Sequence, residues 1–349
     1  GWRRCSPEIF AMMPRRPSRN PSAMPKTLSL ALLADGEFRS GQDLADSLGV
    51  SRTAVWKQLN KLSAETGLEI ESVKGRGYRI PGGIDLLDAD AVNAALSSEA
   101  ASLLSSLVLL ESVDSTNAEL MRHAASGPVA GLACSAEQQT AGRGRRGRQW
   151  VSPFASNLYM SLGWEFEQGA AALEGLSLAV GVAIARALEN CNLPGVQLKW
   201  PNDILYKRAK LGGVLLEMTG DAAGTCQVVV GVGLNVSMPE AAAGAIDQDW
   251  TDIATASGGA PPRRNALLAA LLNELLPLVA GFEAAGFAPW REAWQALDAF
   301  AGNDVILHAG PRQTAGVARG VDERGALLLE TTMGVQPIYG GEISLRLAP

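Results

Sequence analysis

The densest group of potentially reactive side chains lies in residues 138–150, which read QQTAGRGRRGRQW. Guanidinium groups match the oxygens of phosphates and carboxylates, and glycine lets the backbone approach a ligand closely. We therefore expect an anion-binding loop that closes when an anion neutralises its positive charge. The competing interpretation is a solvated, charged surface loop.

Residues 142–147 also match the G-x-G-x-x-G fingerprint of dinucleotide-binding folds, and Glu165 lies near the expected place of its acidic residue. A helix should follow that fingerprint. Here residues 151–153 read VSP and an alternating, strand-like segment follows over 157–164, so this interpretation is disfavoured. An RNA-binding Arg–Gly tail would lie in a low-complexity tract, whereas this loop lies between predicted strands.

A second group is formed by residues 199–203 (KWPND) and 210–214 (KLGGV). The pattern predicts one strand that ends near Lys199 and another that begins at Lys210. Activation of a carboxylic acid with ATP brings two anions together, and ammonium groups screen their repulsion and stabilise charge on the reacting phosphate. Asp203 is suited to hold Mg²⁺ or to position a donor. A salt-bridged hairpin without chemistry explains the same residues equally well.

Two shorter segments place polar groups or glycines at predicted strand ends. Ser115, Thr116 and Asn117 suit an uncharged polar ligand such as a ureido group, which both donates and accepts hydrogen bonds. The alternative is an ordinary helix N-cap. Residues 231–235 (GVGLN) permit close ligand approach, although a packed strand end is as good an explanation.

Residues 26–81 predict a winged helix-turn-helix domain. Two short helices meet at Gly49, and a β-hairpin with a basic tip follows over residues 68–79. The exposed side of the second helix and the hairpin tip supply the candidate DNA contacts. These are Ser51, Arg52, Thr53, Trp56, Lys57, Lys61, Lys74 and Arg76.

Residues 84–300 predict a larger α/β (α+β) domain, in which a mixed sheet has helices packed on one side. Long apolar helices are expected over 173–190 and 265–285, the second broken or kinked at Pro277. Four short strands between residues 304 and 347 predict a small β-barrel in the segment 301–349. Residues 81–83 (PGG) mark a linker.

The 349 residues and their composition favour two or three domains. The net charge of −6 means that nucleic acid would have to be bound by a local basic surface. Four scattered cysteines and two isolated histidines argue against a zinc site and suit a reducing cytoplasm. No apolar run approaches membrane-spanning length, and residues 1–25 are expected to be a disordered extension or, as an alternative, a basic DNA-binding arm.

Taken in order, the arginine loop, the KWPND and KLGG segments and the GVGLN segment resemble the biotin–protein ligases. The winged helix-turn-helix domain and the C-terminal domain resemble those of the bifunctional type that also represses the biotin operon. The resemblance extends over about residues 26–347. The resemblance implies a class-II-synthetase-like catalytic domain and an SH3-like C-terminal domain. It also implies biotin and ATP as substrates with Mg²⁺, a biotinyl-5′-adenylate intermediate and transfer to a lysine of the biotin carboxyl carrier protein of acetyl-CoA carboxylase. Operator DNA and a ligand-promoted homodimer are the further partners that it implies, with no membrane.

The same resemblance assigns roles to residues of this chain. It makes Lys210, Arg145 and Asp203 the expected catalytic group, with Lys210 on the biotin carboxylate and the reacting phosphate. The expected binding residues are Ser115, Thr116, Asn117, Gln139, Arg143, Gly144, Arg145, Arg146, Arg148, Lys199, Asn202, Lys210, Asn235 and Trp250, the last stacking on adenine. No protein-held metal is expected.

Three other functions stay open at this point. A lipoate–protein ligase would share the catalytic fold, but the polar set at residues 115–117 and Gln139 favours biotin. A non-catalytic biotin-sensing repressor is disfavoured by Lys210 and the complete arginine loop. The third is a ligase whose winged helix-turn-helix domain no longer binds DNA.

Overall fold

The computed structural model describes residues 26–221, 224–309, 311–340 and 343–348. Contacts divide the chain into two units, of which the first contains residues 26–65 and 69–83 and the second contains residues 84–348. The extension predicted for residues 1–25 lies outside the described residues.

The first unit is a helical domain with a β-hairpin. Its elements are α1 (Lys26–Ala31), α2 (Gly41–Leu48), α3 (Arg52–Thr66), β1 (Glu71–Val73) and β2 (Gly77–Arg79). Gly49 ends α2 in the left-handed conformation (φ 64°), which glycine adopts without strain. The Ser51 hydroxyl then accepts a hydrogen bond from Ala54 N at 3.2 Å and caps α3. These two features set the turn between the helices, as the sequence predicts.

The hairpin forms a wing with a fixed base. Strands β1 and β2 pair antiparallel, and Tyr78 also pairs with Arg39 from the segment before α2. The guanidinium carbons of Arg76 and Arg79 lie 4.0 and 4.5 Å from the centre of the Phe38 ring. Cation–π contacts therefore hold two basic side chains on one side of the wing.

The second unit is built on a seven-stranded mixed sheet. Its strands are β3 (Ser106–Leu110), β4 (Leu132–Ala136), β5 (Leu158–Phe166), β6 (Val196–Lys199), β7 (Asp203–Tyr206), β8 (Ala209–Gly220) and β9 (Cys226–Leu234). Their spatial order is β3-β4-β5-β9-β8-β7-β6, and only the β3–β4 pair is parallel. Because β7 and β8 are joined by two residues, the KWPND and KLGG segments are neighbours in this sheet.

Helices cover both faces of this sheet. The α-helices of this unit are α4 (Ala89–Ala94), α5 (Ser98–Leu103), α6 (Thr116–Ala124), α7 (Leu176–Asn190), α8 (Glu240–Ala243), α9 (Ile253–Ala256), α10 (Arg264–Ala285) and α11 (Arg291–Leu297). Val228 and Val230 of β9 belong to the main core with α7 and α10, whereas Val229 packs with Leu120 of α6. Alternate residues of a strand face opposite sides, so the prediction of helices on one side is wrong. The amphipathic α6 covers the second face.

Two helical stretches contradict the expectation that no apolar run approaches membrane-spanning length. Residues 170–190 and 264–285 are long and apolar enough to cross a membrane by length and composition. Most of each is buried inside the protein, and α7 packs against α10. Pro277 lies within α10, and the helix continues through it to Ala285. Both are core helices that pack against the seven-stranded sheet.

The C-terminal part is a five-stranded antiparallel sheet. Its strands are β10 (Asp304–Ala309), β11 (Arg312–Val321), β12 (Leu327–Thr331), β13 (Gly334–Ile338) and β14 (Ile343–Leu347), in the order β13-β12-β11-β10-β14. Strand β13 is absent from the sequence prediction because it is exposed along nearly its whole length. Trp200 Nε1 donates to Gly325 O at 3.1 Å, which ties the turn between β11 and β12 to the KWPND segment.

A buried ion pair fixes the beginning of the second unit. The Arg264 guanidinium lies 2.6 Å from Glu137 Oε2, and each side chain is only 3% exposed. Arg264 also donates to Asn157 O at 3.0 Å and to Asp85 O at 2.9 Å. Glu137 Oε1 accepts from Leu87 N at 2.6 Å. Because Glu137 lies two residues before Gln139, this network also supports the start of the arginine-loop segment.

We predict that Arg264→Met lowers the free energy of unfolding by about 3–5 kcal/mol, because it leaves the Glu137 carboxylate buried without its partner. Urea unfolding followed by tryptophan fluorescence measures the change. The double variant with Glu137→Gln should recover part of the loss, since the glutamine carries no charge and still accepts from Leu87. A single variant within about 1 kcal/mol of the wild type would contradict this assignment.

Candidate functional site

One cavity of about 520 Å³ brings together most of the site residues that the sequence predicts. It lies between the beginning of β5, the hairpin β7–β8, β9 and the arginine loop. The predicted residues in its wall are Ser115, Thr116, Asn117, Gln139, Arg143, Gly144, Arg145, Arg146, Arg148, Lys199, Asn202, Asp203 and Lys210. They enter it from segments far apart in the chain.

The inner end of the cavity is a network of uncharged polar groups at the start of α6. Gln139 Oε1 accepts from Thr116 N at 2.9 Å and lies 3.2 Å from Thr116 Oγ1, while Gln139 Nε2 donates to Ser152 Oγ at 3.2 Å. Ser115 Oγ accepts from Ala118 N and caps the helix. The helix-cap interpretation is therefore correct for Ser115, and the residue still lines the cavity. Amide and hydroxyl groups held in this way suit a neutral ligand that both donates and accepts.

Asn117 is held by groups that the sequence analysis does not identify. Ser161 Oγ donates to its Oδ1 at 2.6 Å, and its Nδ2 donates to Leu215 O and to Glu217 Oε2. A Cβ on Gly231 would lie 2.2 Å from Asn117 Oδ1. Gly231 therefore makes room for this protein side chain, and because it also lines the cavity, close approach of a ligand there stays a prediction.

Asp114 anchors the same segment to its own helix. Arg122 of α6 forms two parallel hydrogen bonds with the Asp114 carboxylate, at 2.8 and 2.9 Å. Hydrogen bonds from Arg122 lower the pKa of Asp114 to about 2, against the opposing effect of burial. The start of α6 is thus fixed in position at neutral pH.

The arginine loop closes on itself through its backbone. Gly144 N donates to Arg148 O at 2.7 Å, and Trp150 N donates to Gly142 O at 2.9 Å. A Cβ on Gly142 would lie 2.6 Å from Trp150 O, so this turn requires glycine. Arg146 has a left-handed backbone (φ 60°) at the tip. The glycines of the motif thus shape the loop itself.

Two arginines fasten this loop across the cavity. Arg143 lies 3.1 Å from Glu217 Oε2 on β8, the same oxygen that accepts from Asn117. Arg145 donates to Asn202 Oδ1 at 3.1 Å, and Asn202 Nδ2 donates to Val214 O at 2.6 Å. Burial lowers the pKa of Arg145, with Asp203 opposing the shift, yet arginine stays charged at any physiological pH. Glu217 is a functional candidate that the sequence alone did not indicate. Its single carboxylate within an apolar strand is the feature that could have identified it.

The charged end of the cavity holds two lysines around one carboxylate. Lys210 Nζ lies 2.6 Å from Asp203 Oδ1, and Lys199 Nζ lies 3.2 Å from Asp203 Oδ2. Burial alone would raise the pKa of Asp203, but Lys210 and Lys199 outweigh it and the pKa is lowered. The three groups carry a net charge of about +1 in a partly buried wall. They form the salt-bridged hairpin considered above, placed inside a cavity.

Trp150 covers the cavity beside Lys210. The Lys210 ammonium lies 5.7 Å from the centre of its ring. A Cβ on Gly233 would lie 2.7 Å from the same ring, so Gly233 provides the space for the indole. Trp150 Nε1 is buried and has no hydrogen-bond partner among the described residues. Trp150 ends the arginine motif, and no sequence pattern predicts a role for it.

Two predicted binding residues do not line this cavity. Asn235 is buried, and its Nδ2 donates to Thr251 O at 3.1 Å, so it joins the end of β9 to the following loop. Trp250 lies beside β8, where its neighbour Asp249 accepts from Lys210 N, and faces a smaller surface depression with residues 207–209. Stacking of Trp250 on adenine stays a prediction.

The described residues offer no cluster of three or more His, Cys, Asp or Glu side chains that would hold a metal ion. Both oxygens of Asp203 contact lysines. A dedicated protein site for Mg²⁺ therefore does not fit the residues in this wall.

Comparisons with known proteins match three stretches of the chain. Family models match an HTH domain over residues 26–79, the Biotin/lipoate A/B protein ligase family over 109–235 and the Biotin protein ligase C terminal domain over 302–346. The bifunctional ligase/repressor BirA of Salmonella typhimurium is 41% identical over 327 residues, covering 94% of this chain and 99% of the relative. That of Escherichia coli is 41% identical over 319 residues, covering 91% and 96%.

A solved structure is similar as well. The biotin protein ligase from Aquifex aeolicus, in complex with biotin and ATP, has a TM-score of 0.58 and 30% identity, covering 70% of this chain and 100% of that chain.

Proposed function

The chain belongs to the biotin/lipoate A/B protein ligase family, in the bifunctional ligase/repressor form, and from this premise we propose how its cavity joins biotin to AMP and passes it to a carrier-protein lysine. Biotin and ATP are its substrates, as in the similar ligase complex. The acceptor is the lysine of a biotin carboxyl carrier protein, and the product of the first step is biotinyl-5′-adenylate with release of pyrophosphate.

The polar inner end binds the head of biotin in this proposal. Thr116 and Gln139 are already oriented by each other and by Ser152, so they present donors and acceptors to a ureido ring at little entropic cost. Asn117 is fixed by Ser161 and Glu217. A lipoyl dithiolane offers no strong hydrogen-bond donor or acceptor to these groups, whereas a ureido ring offers both, which disfavours lipoate as the substrate.

The lysine pair brings the two anions together. One oxygen of the biotin carboxylate attacks the α-phosphorus of ATP, the bond to the bridging oxygen of pyrophosphate breaks, and the electron pair leaves with pyrophosphate. Lys210 and Lys199, held side by side by Asp203, stabilise the negative charge on the reacting oxygens. In the second step a neutral acceptor lysine amine attacks the acyl carbon, the acyl carbon–oxygen bond to the phosphate breaks, AMP leaves with the electron pair, and the nitrogen releases a proton to water.

The single observation behind this proposal is that an uncharged polar network, a lysine pair and the arginine loop all line one cavity. The test mixes the full chain with biotin, ATP and a carrier domain and follows both pyrophosphate and biotin transfer. We expect both, with biotin outcompeting lipoate. Pyrophosphate without any effect of biotin, or transfer of lipoate in preference, would refute it, and no pyrophosphate at all would indicate a biotin-sensing repressor.

We propose that Mg²⁺ reaches the site bound to the phosphates of ATP, because the described wall lacks a set of metal ligands. The charge on the triphosphate is then shared between the ion and the basic groups of this chain. The free thiols of Cys134, Cys191 and Cys226 support the further proposal of a reducing, cytoplasmic setting.

The first unit is proposed to bind operator DNA through the exposed side of α3 and the wing. Trp56 is 53% exposed, a large apolar side chain free for contact, and Lys57, Lys61, Lys74 and Arg76 are exposed too. Arg52 and Thr53 lie in the first turn of α3, which Ser51 caps. Together Lys57→Gln and Lys61→Gln should weaken operator binding and reduce the salt dependence of log K by about two units. An unchanged salt slope in fluorescence anisotropy would exclude these lysines as phosphate contacts.

A ligand-promoted homodimer is proposed from the length of β8. Strand β7 pairs only with residues 209–213 of β8. On the side of β8 away from β9, residues 214–220 therefore have no neighbouring strand among the described residues. Met218 is exposed on β8, and the ion pair between Glu217 and Arg143 connects β8 to the arginine loop. Sedimentation should show a dimer with biotin and ATP and a monomer without them. A monomer under both conditions would reject the proposal.

A further inference from the structure

The two-residue turn between β7 and β8 has an unusual backbone. Lys207 and Arg208 have φ values of 47° and 70°, in the left-handed region where such hairpins favour Asn-Gly. Two successive non-glycine residues in this conformation indicate that at least one of their side chains has a function. Arg208 lines the main cavity, whereas Lys207 does not.

The position of Arg208 matters because the inner cations are already partly neutralised. Lys199 and Lys210 share the charge of Asp203, while ATP brings a triphosphate whose outer two phosphates leave together. If Lys210 faces the α-phosphate, the outer phosphates extend toward the rim. That rim is lined by Arg208, residues 247–249 and Arg346.

The rim would repel phosphates without its arginines. Asp247 and Asp249 lie in the same wall and carry negative charge. No ion pair within 4.0 Å joins Arg208 to either carboxylate among the described residues, and its side chain is exposed to solvent. A guanidinium at this place can therefore take up a phosphate without first breaking an ion pair.

We propose that Arg208 binds the β- and γ-phosphates of ATP and the departing pyrophosphate. The turn conformation places the guanidinium at the rim, and its fork of donors matches two phosphate oxygens at once. This inference rests on the proposed function, since it assigns one more residue to the adenylation step. It gives Arg208 no part in the second step, because biotinyl-5′-adenylate lacks these phosphates.

The experiment compares Arg208→Gln, Arg208→Gly and Arg208→Lys with the control Lys207→Gln in the full chain. Steady-state pyrophosphate release gives KM for ATP and for biotin, and pyrophosphate exchange into ATP gives KM for pyrophosphate. Transfer from chemically prepared biotinyl-5′-adenylate to a carrier domain isolates the second step. Arg208→Gly relaxes the backbone while removing the side chain, so it separates the two effects.

We expect Arg208→Gln and Arg208→Gly to raise KM for ATP and for pyrophosphate by about tenfold or more, the loss of one charge-assisted contact. Arg208→Lys should lose less, and KM for biotin and transfer from the prepared adenylate should stay within about twofold. KM values for ATP within twofold of wild type, an equal effect of Lys207→Gln, or an equal loss in the transfer step would each overturn the assignment. A wild-type protein that releases no pyrophosphate with biotin and ATP would instead overturn the proposed function, and the role of Arg208 with it.

Discussion

Replacing Lys210 with glutamine should lower the rate of adenylate formation by a factor of about 10²–10³, the usual cost of removing a preorganised group that stabilises transition-state charge. Lys210 Nζ lies 2.6 Å from Asp203 and 5.7 Å from the Trp150 ring, so its ammonium is fixed before any substrate binds. Glutamine retains polarity and approximate length but carries no charge. The loss should therefore fall on the chemical step more than on biotin affinity.

Single-turnover pyrophosphate release with saturating biotin and ATP measures this effect. Lys207→Gln is the matched control, because it removes a lysine from the same hairpin outside the main cavity. Asp203→Asn tests the positioning of the pair: it should cost less than Lys210→Gln, since both ammonium groups remain but are no longer held together. If Lys210→Gln formed adenylate within threefold of wild type, the lysine pair would not be the charge-stabilising group.

Local patterns predict those parts of the fold that local physics determines. The turn at Gly49, the cap at Ser51, the alternating strand β5 and the apolar strand β9 follow from short-range rules, and the structure has them where the sequence places them. The helix α6 also follows from its cap. Its location on the second face of the sheet does not, because a single amphipathic helix is compatible with either face until Val229 and Leu120 are known to meet.

The contacts that hold the site together are separated by long stretches of chain. Arg264 and Glu137 are 127 residues apart, and Asn117 and Glu217 are 100 apart. No periodicity links such pairs, so a charged residue in an apolar segment indicates only that a partner must exist. Gly231 and Gly233 illustrate the same point. The sequence predicts that another group approaches these glycines closely, but it does not predict that the groups are the side chains of Asn117 and Trp150.

Replacing Arg145 with glycine should let biotinyl-5′-adenylate escape about 10–100 times faster. The Arg145 guanidinium crosses the cavity from the loop to Asn202, which is itself anchored to Val214 O. Glycine removes this bridge together with a positive charge that would face the adenylate phosphate. The loop would then close less firmly, and a mixed anhydride would meet water and amines outside the site.

The escape has a readout beyond activity, because free adenylate acylates any accessible lysine. We expect Arg145→Gly to biotinylate serum albumin added as a bystander, and rapid filtration of preloaded enzyme should show the faster loss of adenylate. Arg145→Lys is the matched control: it keeps the charge but not the planar fork, so its leakage should lie between those of glycine and wild type. Labelling of the carrier domain alone by Arg145→Gly would mean that retention depends on other groups of the loop. Leakage from Arg145→Lys equal to that from glycine would instead show that the directed bond to Asn202, and not the charge, keeps the loop closed.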